Sequence, residues 1–371
     1  MKKRVHIIGL RAYPAEFEGT SGIEFYTQHL LEKIHELDQN IFFCIFTRNK
    51  YQKIIKNKKN YYELLPFKTI SHKTLETLFY SFLATMSSSS TKGDIVWFHG
   101  IGSAFFSWIP LVFGKKVIIT IHSFDWERKK WTNIEKTAFL FIVKIIFKLP
   151  IQFLTVSNDL ALHLFQKYNI RARVISPGLR VSPKAGSLKK NKLPKELRKS
   201  PYLLYLGRIV PEKRIEWLLG SDKAIPSNYK IAIFGHHGNS ADYFKHLKKK
   251  NSNSSKILWG KSVFGQKKEA LIKYAHGVII PSDLEGLPIT MLETISSHTM
   301  CLIASEYVPA ELKKVRQIIT FDKNSMESFN KSLNLLIKKT NATRKNDQDL
   351  SFLSKFFSWE LSAKKMLEEL S

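Results

Sequence analysis

One segment in the second half of the chain has the residue types and spacing of an anion-binding turn. Residues 281–293 follow a predicted strand and begin a predicted helix. Gly286 permits a tight turn, and Pro288 suits the first helical turn, where the amide that it lacks would have had no partner. The positive end of the helix then offers free amides to an anion. These are the amides of Leu287, Ile289 and Thr290. The segment therefore predicts a phosphate site.

Two carboxylates accompany this turn. Glu285 precedes Gly286, and Glu293 lies about one and a half turns into the helix, on the same face as Thr290 and Ser297. The rest of the helix is mostly apolar, so a carboxylate there needs a partner. Hydroxyl groups of a sugar or a ribose would suit, because an ionised carboxylate only accepts hydrogen bonds. An ordinary salt bridge is the alternative for Glu293.

Short β-branched runs recur along the chain with helical stretches between them, which is typical of a parallel sheet with crossover helices. Seven of these predicted strands end at small or polar residues. In sequence order, the residues that follow them are Gly9, His99, His122, Ser157, Gly207, Gly235 and Pro281. Ligands bind at the carboxyl ends of strands in such sheets. We therefore expect a cleft lined from both halves of the chain.

The composition is that of a large basic globular protein. A chain of 371 residues exceeds the usual size of a single core, so two domains are expected. Lysine and arginine total 59 against 31 acidic residues, a formal charge of +28, which favours a polyanionic surrounding such as nucleic acid, an anionic membrane or phosphate-bearing substrates. Cys44 and Cys301 each lie in a predicted strand. They imply no disulfide framework and fit a reducing compartment.

The domain boundary is placed where proline, glycine and lysine concentrate. Residues 183–200 contain Pro183, Gly186 and Pro194 within a dense lysine run, a composition that disfavours a packed element. This segment predicts a basic interdomain linker between a first domain, residues 1–182, and a second domain, residues 201–351.

Several segments resemble the retaining glycosyltransferases of family four. The run from Glu285 to Glu293 is similar to the Glu-x7-Glu motif of that family. Residues 207–213 (Gly-Arg-Ile-Val-Pro-Glu-Lys) resemble its diphosphate-binding stretch, and residues 21–24 (Ser-Gly-Ile-Glu) its N-terminal glycine loop. His122 falls at the active-site histidine of the family. These matches keep the family's order and cover nearly the whole chain.

The resemblance implies an α/β protein with two facing Rossmann-like domains, the GT-B fold. Residues 357–360 (Phe-Ser-Trp-Glu) are similar to the start of a C-terminal helix that crosses back to the first domain, so residues 352–371 are expected to form it. Residues 9–15 and 122–131 look most like a bacterial polysaccharide branch that includes rhamnosyltransferases. The implied function is transfer of a hexose-type sugar from a nucleotide-diphosphate donor to a saccharide acceptor during surface polysaccharide assembly. The acceptor is expected to be linked to a lipid.

By resemblance, the second domain holds the donor. Arg208 and Lys213 would neutralise its diphosphate in place of a metal ion, and their stabilisation would grow as charge develops on the leaving group. No Asp-x-Asp motif stands at a predicted strand end, so no metal ion is expected, with Asp283 alone as the alternative. The nucleotide sugar would be a co-substrate, so no resident cofactor is expected. Glu285 would bind hydroxyls of the donor sugar and Glu293 the ribose. The other implied donor-binding residues are Gly22, Gly207, Gly286, Leu287, Pro288 and Ile289.

The first domain is expected to supply the acceptor side. His122 would contact and orient the donor sugar; the alternative is a histidine capped by a neighbouring carbonyl. His99 and Glu24 would border the acceptor or a phosphate. Tyr13 could stack on a sugar ring or pack in the core. The chain departs from the family at Ser21, where a second glycine is common, and at His298, where a glycine is usual.

Two apolar segments raise the question of membrane attachment. Residues 133–148 and 105–113 could lie on an anionic bilayer, with ordinary core packing as the alternative for each. The N-terminus lacks the apolar length of a signal peptide, and charged residues and a proline interrupt residues 137–156, the longest apolar stretch. We expect a cytoplasmic protein, peripheral at the inner face of the plasma membrane.

Two other functions compete with this interpretation. A sugar-nucleotide epimerase can share the two-domain architecture but needs no acceptor. A nucleic-acid-binding protein would explain the sequence pI near 9.9, but no zinc-finger, helix-turn-helix or RNP-like motif accompanies the charge. We therefore expect no nucleic-acid partner.

Overall fold

The computed structural model describes residues 2–17, 20–51, 60–70, 75–127, 132–179, 189–238, 240–339 and 353–371. Three parts of the segments discussed above lie outside this set. They are Gly19 beside the glycine loop, residues 128–131 at the end of the segment 122–131, and residues 183–188 of the expected linker. The chain divides into two compact units. The first comprises Met1–Gly178 together with Phe357–Ser371, and the second comprises Leu179–Phe356.

The first unit is built on a seven-stranded sheet of order β3-β2-β1-β4-β5-β6-β7. Its strands are β1 (Lys3–Ile8), β2 (Ile41–Arg48), β3 (Tyr62–Phe67), β4 (Ile95–His99), β5 (Lys116–Ile121), β6 (Gln152–Thr155) and β7 (Arg173–Val174). Its helices are α1 (Gly22–Leu37), α2 (Leu75–Ser90), α3 (Trp108–Val112), α4 (Asn133–Ile146), α5 (Asn158–Tyr168) and the C-terminal α11 (Trp359–Leu370).

The second unit is built on a six-stranded sheet of order β10-β9-β8-β11-β12-β13. Its strands are β8 (Tyr202–Leu206), β9 (Lys230–Phe234), β10 (Ile257–Gly260), β11 (Gly277–Ile280), β12 (Met300–Ala304) and β13 (Ile318–Phe321). Its helices are α6 (Ile215–Gly220), α7 (Ala241–Lys250), α8 (Gly265–Tyr274), α9 (Ile289–Ser296) and α10 (Met326–Lys338).

Every strand pairing is parallel, with registers such as Val5 opposite Ile95 and Gly277 opposite Leu203. The central strands are buried on both faces, which is why they appear in the sequence as continuous apolar runs. All seven predicted strands are present. The α/β class and the two Rossmann-like domains are confirmed.

The C-terminal helix returns to the first unit, as the resemblance implied. Helix α11 packs against α1. The Ser362 hydroxyl donates to the Ser176 carbonyl at 2.5 Å, and the Arg173 guanidinium lies 2.7 Å from a Glu369 carboxylate oxygen. Gly178 approaches this helix so closely that a Cβ there would meet the Trp359 amide nitrogen at 2.4 Å. The last 15 residues therefore complete the first unit.

The described part of the expected linker is more ordered than its composition predicted. Residues 189–200 contain two short 3₁₀ turns, Lys190–Lys192 and Lys195–Leu197. Leu193 and Leu197 are buried, because these two apolar side chains pack on the second unit while the lysines remain at its surface. The expectation of an unpacked linker is wrong for this stretch.

Helix α4, which lies within residues 133–148, has apolar side chains both in the core and on the surface. Phe139, Val143 and Ile146 are buried against the first unit. Other apolar side chains of the same helix are exposed, with Ile134 at 84% and Phe141 at 65%. One stripe of α4 is thus core and another faces solvent. No helix among the described residues is both long and apolar enough to span a bilayer.

Candidate functional site

The order of strands in the second sheet places two loops side by side. Strands β8 and β11 are adjacent, although β8 connects onward to β9 and β11 to β12, so the sheet changes direction between them. Ligands of open parallel sheets bind at such a switch point, outside the carboxyl ends of the strands. Gly207 and Arg208 follow β8, and residues 281–288 follow β11. The two predicted donor-binding segments therefore meet here.

The loop after β8 is held by its backbone. The Gly207 amide donates to the Phe234 carbonyl at 3.1 Å, and the Ile209 amide to the His236 carbonyl at 2.8 Å. Gly235 must be a glycine, since a Cβ there would meet the Gly207 oxygen at 1.8 Å. The neighbouring strands thus fix the loop that carries Arg208.

Arg208 is oriented by two neighbours. Its guanidinium lies 3.6 Å from a Glu212 carboxylate oxygen. The Tyr205 hydroxyl donates to the Arg208 carbonyl at 2.6 Å. Burial raises the pKa of Tyr205 well above its ordinary value, and the charge of Glu285 adds to the effect. This hydroxyl therefore stays protonated and remains a donor.

Direct contacts join the loop after β8 to the loop after β11. The Asp283 amide donates to the Glu212 carbonyl at 2.8 Å, and the Arg214 guanidinium pairs with the Asp283 carboxylate. Lys213 Nζ lies 2.5 Å from Glu285 Oε1. The structure thus brings predicted basic and acidic residues together, although they are 72 positions apart in the sequence.

The start of α9 has the geometry of an anion site. Pro288 caps the helix, and no side chain caps its first amides. The amides of Ile289 and Thr290 have no hydrogen-bond partner among the described residues. Glu285 stands just before this helix, and the Ser282 hydroxyl donates to its Oε1 at 2.6 Å. A phosphate at this point would receive backbone donors beside the Lys213 ammonium.

Glu293 forms a salt bridge, which was the expected alternative to binding the hydroxyls of a sugar or a ribose. Its Oε1 lies 2.7 Å from Lys268 Nζ, on helix α8. The residue is only 8% exposed, and its Oε2 is buried without a partner among the described residues. One oxygen is therefore satisfied by lysine, while the other is left as an acceptor.

His298 occupies a backbone conformation that explains why the family favours glycine there. It follows the end of α9 with φ of +52°, in the left-handed region. The Thr299 amide then turns back to the Thr294 carbonyl at 3.0 Å. The residue after the helix thus keeps the left-handed conformation that glycine usually adopts there. Because this residue is a histidine, its Cβ makes that conformation sterically unfavourable.

In the first unit, the corresponding switch point lies between β1 and β4. Gly9 follows β1 with φ of +116°, and a Cβ there would meet the His99 carbonyl oxygen at 2.4 Å. His99 ends β4 and His122 follows β5. Their rings are stacked, with His99 Nδ1 3.0 Å from His122 Nε2. The structure thus brings these two predicted site residues together.

Both histidines are held neutral. Burial lowers the pKa of His122 to about 4, against the opposing charge of Asp125. Burial and the neighbouring His122 place the pKa of His99 well below its usual range. His99 is 2% exposed, whereas His122 remains partly accessible. Only His122 of this pair is placed to touch a ligand.

Two residues expected on the acceptor side have structural roles. Glu24 is buried, accepts from the Arg11 amide at 3.0 Å and from the Ser21 amide at 2.7 Å, and so caps α1 and anchors the loop after β1. Tyr13 is 1% exposed and packs edge-on against Tyr62. Tyr13 therefore packs in the core, and its ring is too buried to stack on a sugar. Gly22, the first residue of α1, is exposed.

Lys268 and Ser282 contact the site carboxylates but were not identified from the sequence. Ser282 stands three residues before Glu285, so the Pro-Ser-Asp turn was an available signal. Lys268 lies on a different helix, 25 residues before Glu293. No local pattern marks it, because its contact depends on how α8 packs beside α9.

Comparison with known proteins agrees with this geometry. Residues 189–349 match the family model described as Glycosyl transferases group 1. The second unit carries a group 1 glycosyltransferase domain. The match includes both loops of the switch point and the whole of α9. No curated protein sequence matches the chain.

Solved structures share the fold of the whole chain. Sucrose-phosphate synthase from Thermosynechococcus elongatus is 16% identical with a TM-score of 0.82, over 99% of this chain and 98% of that one. WaaG, a glycosyltransferase of lipopolysaccharide biosynthesis, is 12% identical with a TM-score of 0.74, over 99% of each chain. HepE from Anabaena, solved with UDP and glucose, is 10% identical with a TM-score of 0.76, over 100% and 99%. These matches show that the whole chain has the GT-B fold, and the group 1 match lies within its second unit.

Proposed function

We propose that the chain is a retaining glycosyltransferase that moves a hexose-type sugar from a nucleotide diphosphate to a saccharide acceptor in surface polysaccharide assembly. The observation that carries the proposal is the contact of Lys213 with Glu285 at the switch point, beside the open start of α9. A cation for phosphate and a carboxylate for sugar hydroxyls lie there within one hydrogen bond of each other.

The diphosphate of the donor would lie between the basic residues and the helix start. Arg208 and Lys213 supply positive charge, and the amides of Leu287 and Ile289 supply backbone donors. Charge grows on the diphosphate as the glycosidic bond breaks, so these contacts strengthen in the transition state. We propose that they take the place of a divalent metal ion.

The carboxylates would select the rest of the donor. A lysine ammonium has three donors, so Lys213 can hold Glu285 and a phosphate oxygen at once. Glu285 is thereby oriented to accept from hydroxyls of the sugar. The unpartnered Oε2 of Glu293 would accept from the ribose, while Lys268 keeps the other oxygen in place.

In the transfer step, the oxygen of an acceptor hydroxyl forms a bond to the anomeric carbon while the bond from that carbon to the diphosphate oxygen breaks. Attack from the face of the departing phosphate retains the configuration, and a phosphate oxygen takes the hydroxyl proton. Glu285 then acts in binding rather than as a nucleophile. His122 would orient the sugar, in keeping with its neutral state.

The neighbours support a nucleotide-sugar donor and a saccharide product. HepE was solved with UDP and glucose, and WaaG acts in lipopolysaccharide biosynthesis. Both share the fold of this chain, and we extend those substrate classes to it as part of the proposal. The rhamnosyltransferase branch stays a prediction from residues 9–15 and 122–131.

A lipid-linked acceptor would explain the exposed apolar side chains of the first unit. The turn that precedes α3 contacts α2 through Phe106 and Phe82, and α4 through Phe105 and Phe139. Exposed apolar residues on or beside these helices are Phe79, Phe82, Met86, Trp108, Val112, Phe113, Ile134, Phe141 and Ile145. We call them the α2–α4 surface. The exposed Lys136, Lys144 and Lys148 lie among or beside them, which suits the anionic inner leaflet of a plasma membrane.

A panel of nucleotide sugars tests the donor assignment. The proposal expects at least one nucleotide-diphosphate sugar to raise the melting temperature and to be consumed only when a saccharide acceptor is present. Consumption without an acceptor, with a new sugar nucleotide as product, would identify an epimerase instead. The absence of any stabilising nucleotide sugar would contradict the donor site.

A further inference from the structure

Two histidines of the first unit share a hydrogen bond whose direction the neighbouring groups determine. His99 Nδ1 lies 3.0 Å from His122 Nε2. When both imidazoles are neutral, one nitrogen of this contact carries the proton and donates the hydrogen bond, and the other nitrogen accepts the hydrogen bond. The direction decides which nitrogen of His122 is left to bind a ligand.

Thr27 settles the direction. Its hydroxyl donates its single proton to the Ile23 carbonyl at 2.8 Å. The same oxygen lies 3.4 Å from His99 Nδ1, so toward that ring it can only accept. The proton therefore resides on His99 Nδ1. This N–H group donates to both Thr27 Oγ1 and His122 Nε2. His122 Nε2 is an acceptor in this contact.

We propose that His99 is a positioning residue, which holds His122 in the Nδ1–H tautomer so that His122 offers a hydrogen-bond donor to the donor sugar. This inference rests on the proposed function for the identity of the ligand. It changes the expected role of His99, which is buried and contacts His122 instead of bordering an acceptor.

The surroundings of His99 oppose the reverse arrangement. If His122 carried the proton on Nε2, the neutral His99 would carry its own on Nε2. That nitrogen is buried and has no partner among the described residues. Nε2 lacks a partner in either tautomer, but buried N–H groups without an acceptor are rarer in proteins than under-satisfied acceptors, which favours the bare nitrogen of the proposed tautomer. The ring of Trp97, centred 4.6 Å away, adds no acceptor in the ring plane.

His122 is consequently a neutral donor and not a proton acceptor. Its Nε2 lone pair is used by His99, and its Nδ1 already carries a proton. A general base would need one of these nitrogens free. This agrees with a transfer step in which the departing phosphate takes the acceptor proton, and it assigns to His122 a hydrogen bond to a sugar hydroxyl.

Nuclear magnetic resonance of protein labelled with ¹⁵N in its histidines tests the tautomer directly. Two-bond correlations distinguish the protonated from the bare ring nitrogen, and the spectra of His99→Asn and His122→Asn assign the signals. We expect both rings in the Nδ1–H form in the unmodified protein. In His99→Leu, His122 should lose that preference. An Nε2–H signal for His122 in the unmodified protein would overturn the proposal, as would an unchanged tautomer in His99→Leu.

Kinetics provide the second measurement. His99→Leu should lower kcat about tenfold, the effect of one misdirected hydrogen bond in a buried site, with a smaller change in the donor KM. His99→Asn can place an amide donor where Nδ1–H stood and should stay within roughly threefold of the unmodified enzyme. Equal losses in both variants would indicate a structural role and overturn the proposal.

The tautomer measurement needs no substrate, so the two proposals can fail separately. The expected tautomers in a protein that transfers no sugar would support the positioning role and contradict the proposed function. If His99→Leu does not fold, the spectrum of the unmodified protein still decides the tautomer.

Discussion

Lys213 Nζ lies 2.5 Å from Glu285 Oε1, and this contact joins the loop after β8 to the loop after β11. The Ser282 hydroxyl donates to the same carboxylate oxygen. A basic and an acidic side chain so placed at a switch point can bind the two halves of a sugar diphosphate.

Arg208→Ala and Glu285→Ala should each lower the rate of sugar transfer by about 10²–10³-fold, because each removes a group that binds charge or hydroxyls in the transition state. Circular dichroism and thermal unfolding should show both variants folded. Lys256→Ala removes another ion pair of the second unit, with Asp222, and serves as the matched control with near-normal turnover. Unchanged turnover in both site variants would discredit the site assignment.

Lys268→Met should destabilise the protein by about 1–3 kcal/mol, because it leaves the buried Glu293 carboxylate without its cation. Urea unfolding measures the loss. Adding Glu293→Gln should restore part of it, since a neutral amide costs less to bury than an unpaired charge. Equal stability of the single and double variants would show that the pair is not coupled.

His298→Gly should be more stable than His298→Ala by about 1 kcal/mol, because both remove the ring but only glycine adopts φ of +52° without strain. Ser297 supplies the control. Its φ is −92°, so Ser297→Ala should be at least as stable as Ser297→Gly. Urea unfolding of the four variants measures the comparison, and the same order at both positions would refute the conformational explanation.

Stability should fall as the pH drops from 6.5 toward 4, because the folded protein keeps buried histidines neutral. Burial lowers the pKa of His6 to about 4, with the charge of Lys115 adding to the effect. Between that value and the ordinary value near 6.5, the unfolded chain binds a proton that the folded chain refuses, so acid favours unfolding.

The contribution of His6 amounts to about 2 kcal/mol lost by pH 5, and His122 acts in the same direction. Urea unfolding at pH 7.5 and pH 5 measures it. His6→Gln should flatten the dependence, whereas the exposed His246→Gln should leave it as it was. A slope unaffected by His6→Gln would contradict the prediction.

The protein should co-sediment with anionic vesicles, and a smaller fraction should sediment as the salt concentration rises. Salt screens the attraction between the lysines and the anionic lipids but does not weaken the apolar contacts in this way. Trp108→Ser and Phe141→Ser, on the α2–α4 surface, should each weaken binding roughly tenfold. Leu162→Ser, at the 54% exposed Leu162 of α5, is the control and should bind normally. If the unmodified protein stays in solution with such vesicles, the membrane proposal fails.

The sequence alone determined the α/β class, seven of the strands and the residues at the ends of those seven. This was possible because strand runs, the Gly286 turn and the Pro288 helix start depend on neighbours in the chain. The sheet order β10-β9-β8-β11-β12-β13 then made the placement of Arg208 beside residues 281–288 a consequence of topology.

Which side chains meet, and which are covered, depends on how the elements pack in three dimensions. The partner of Glu293 is on α8, the proton of His99 is directed by Thr27, and the ring of Tyr13 is buried rather than presented to a sugar. Helix α4 carries apolar residues on two stripes, and the packing of the first unit selects the one that becomes core. Such contacts join positions far apart in the chain, and burial depends on every neighbouring element at once, so no local pattern encodes them.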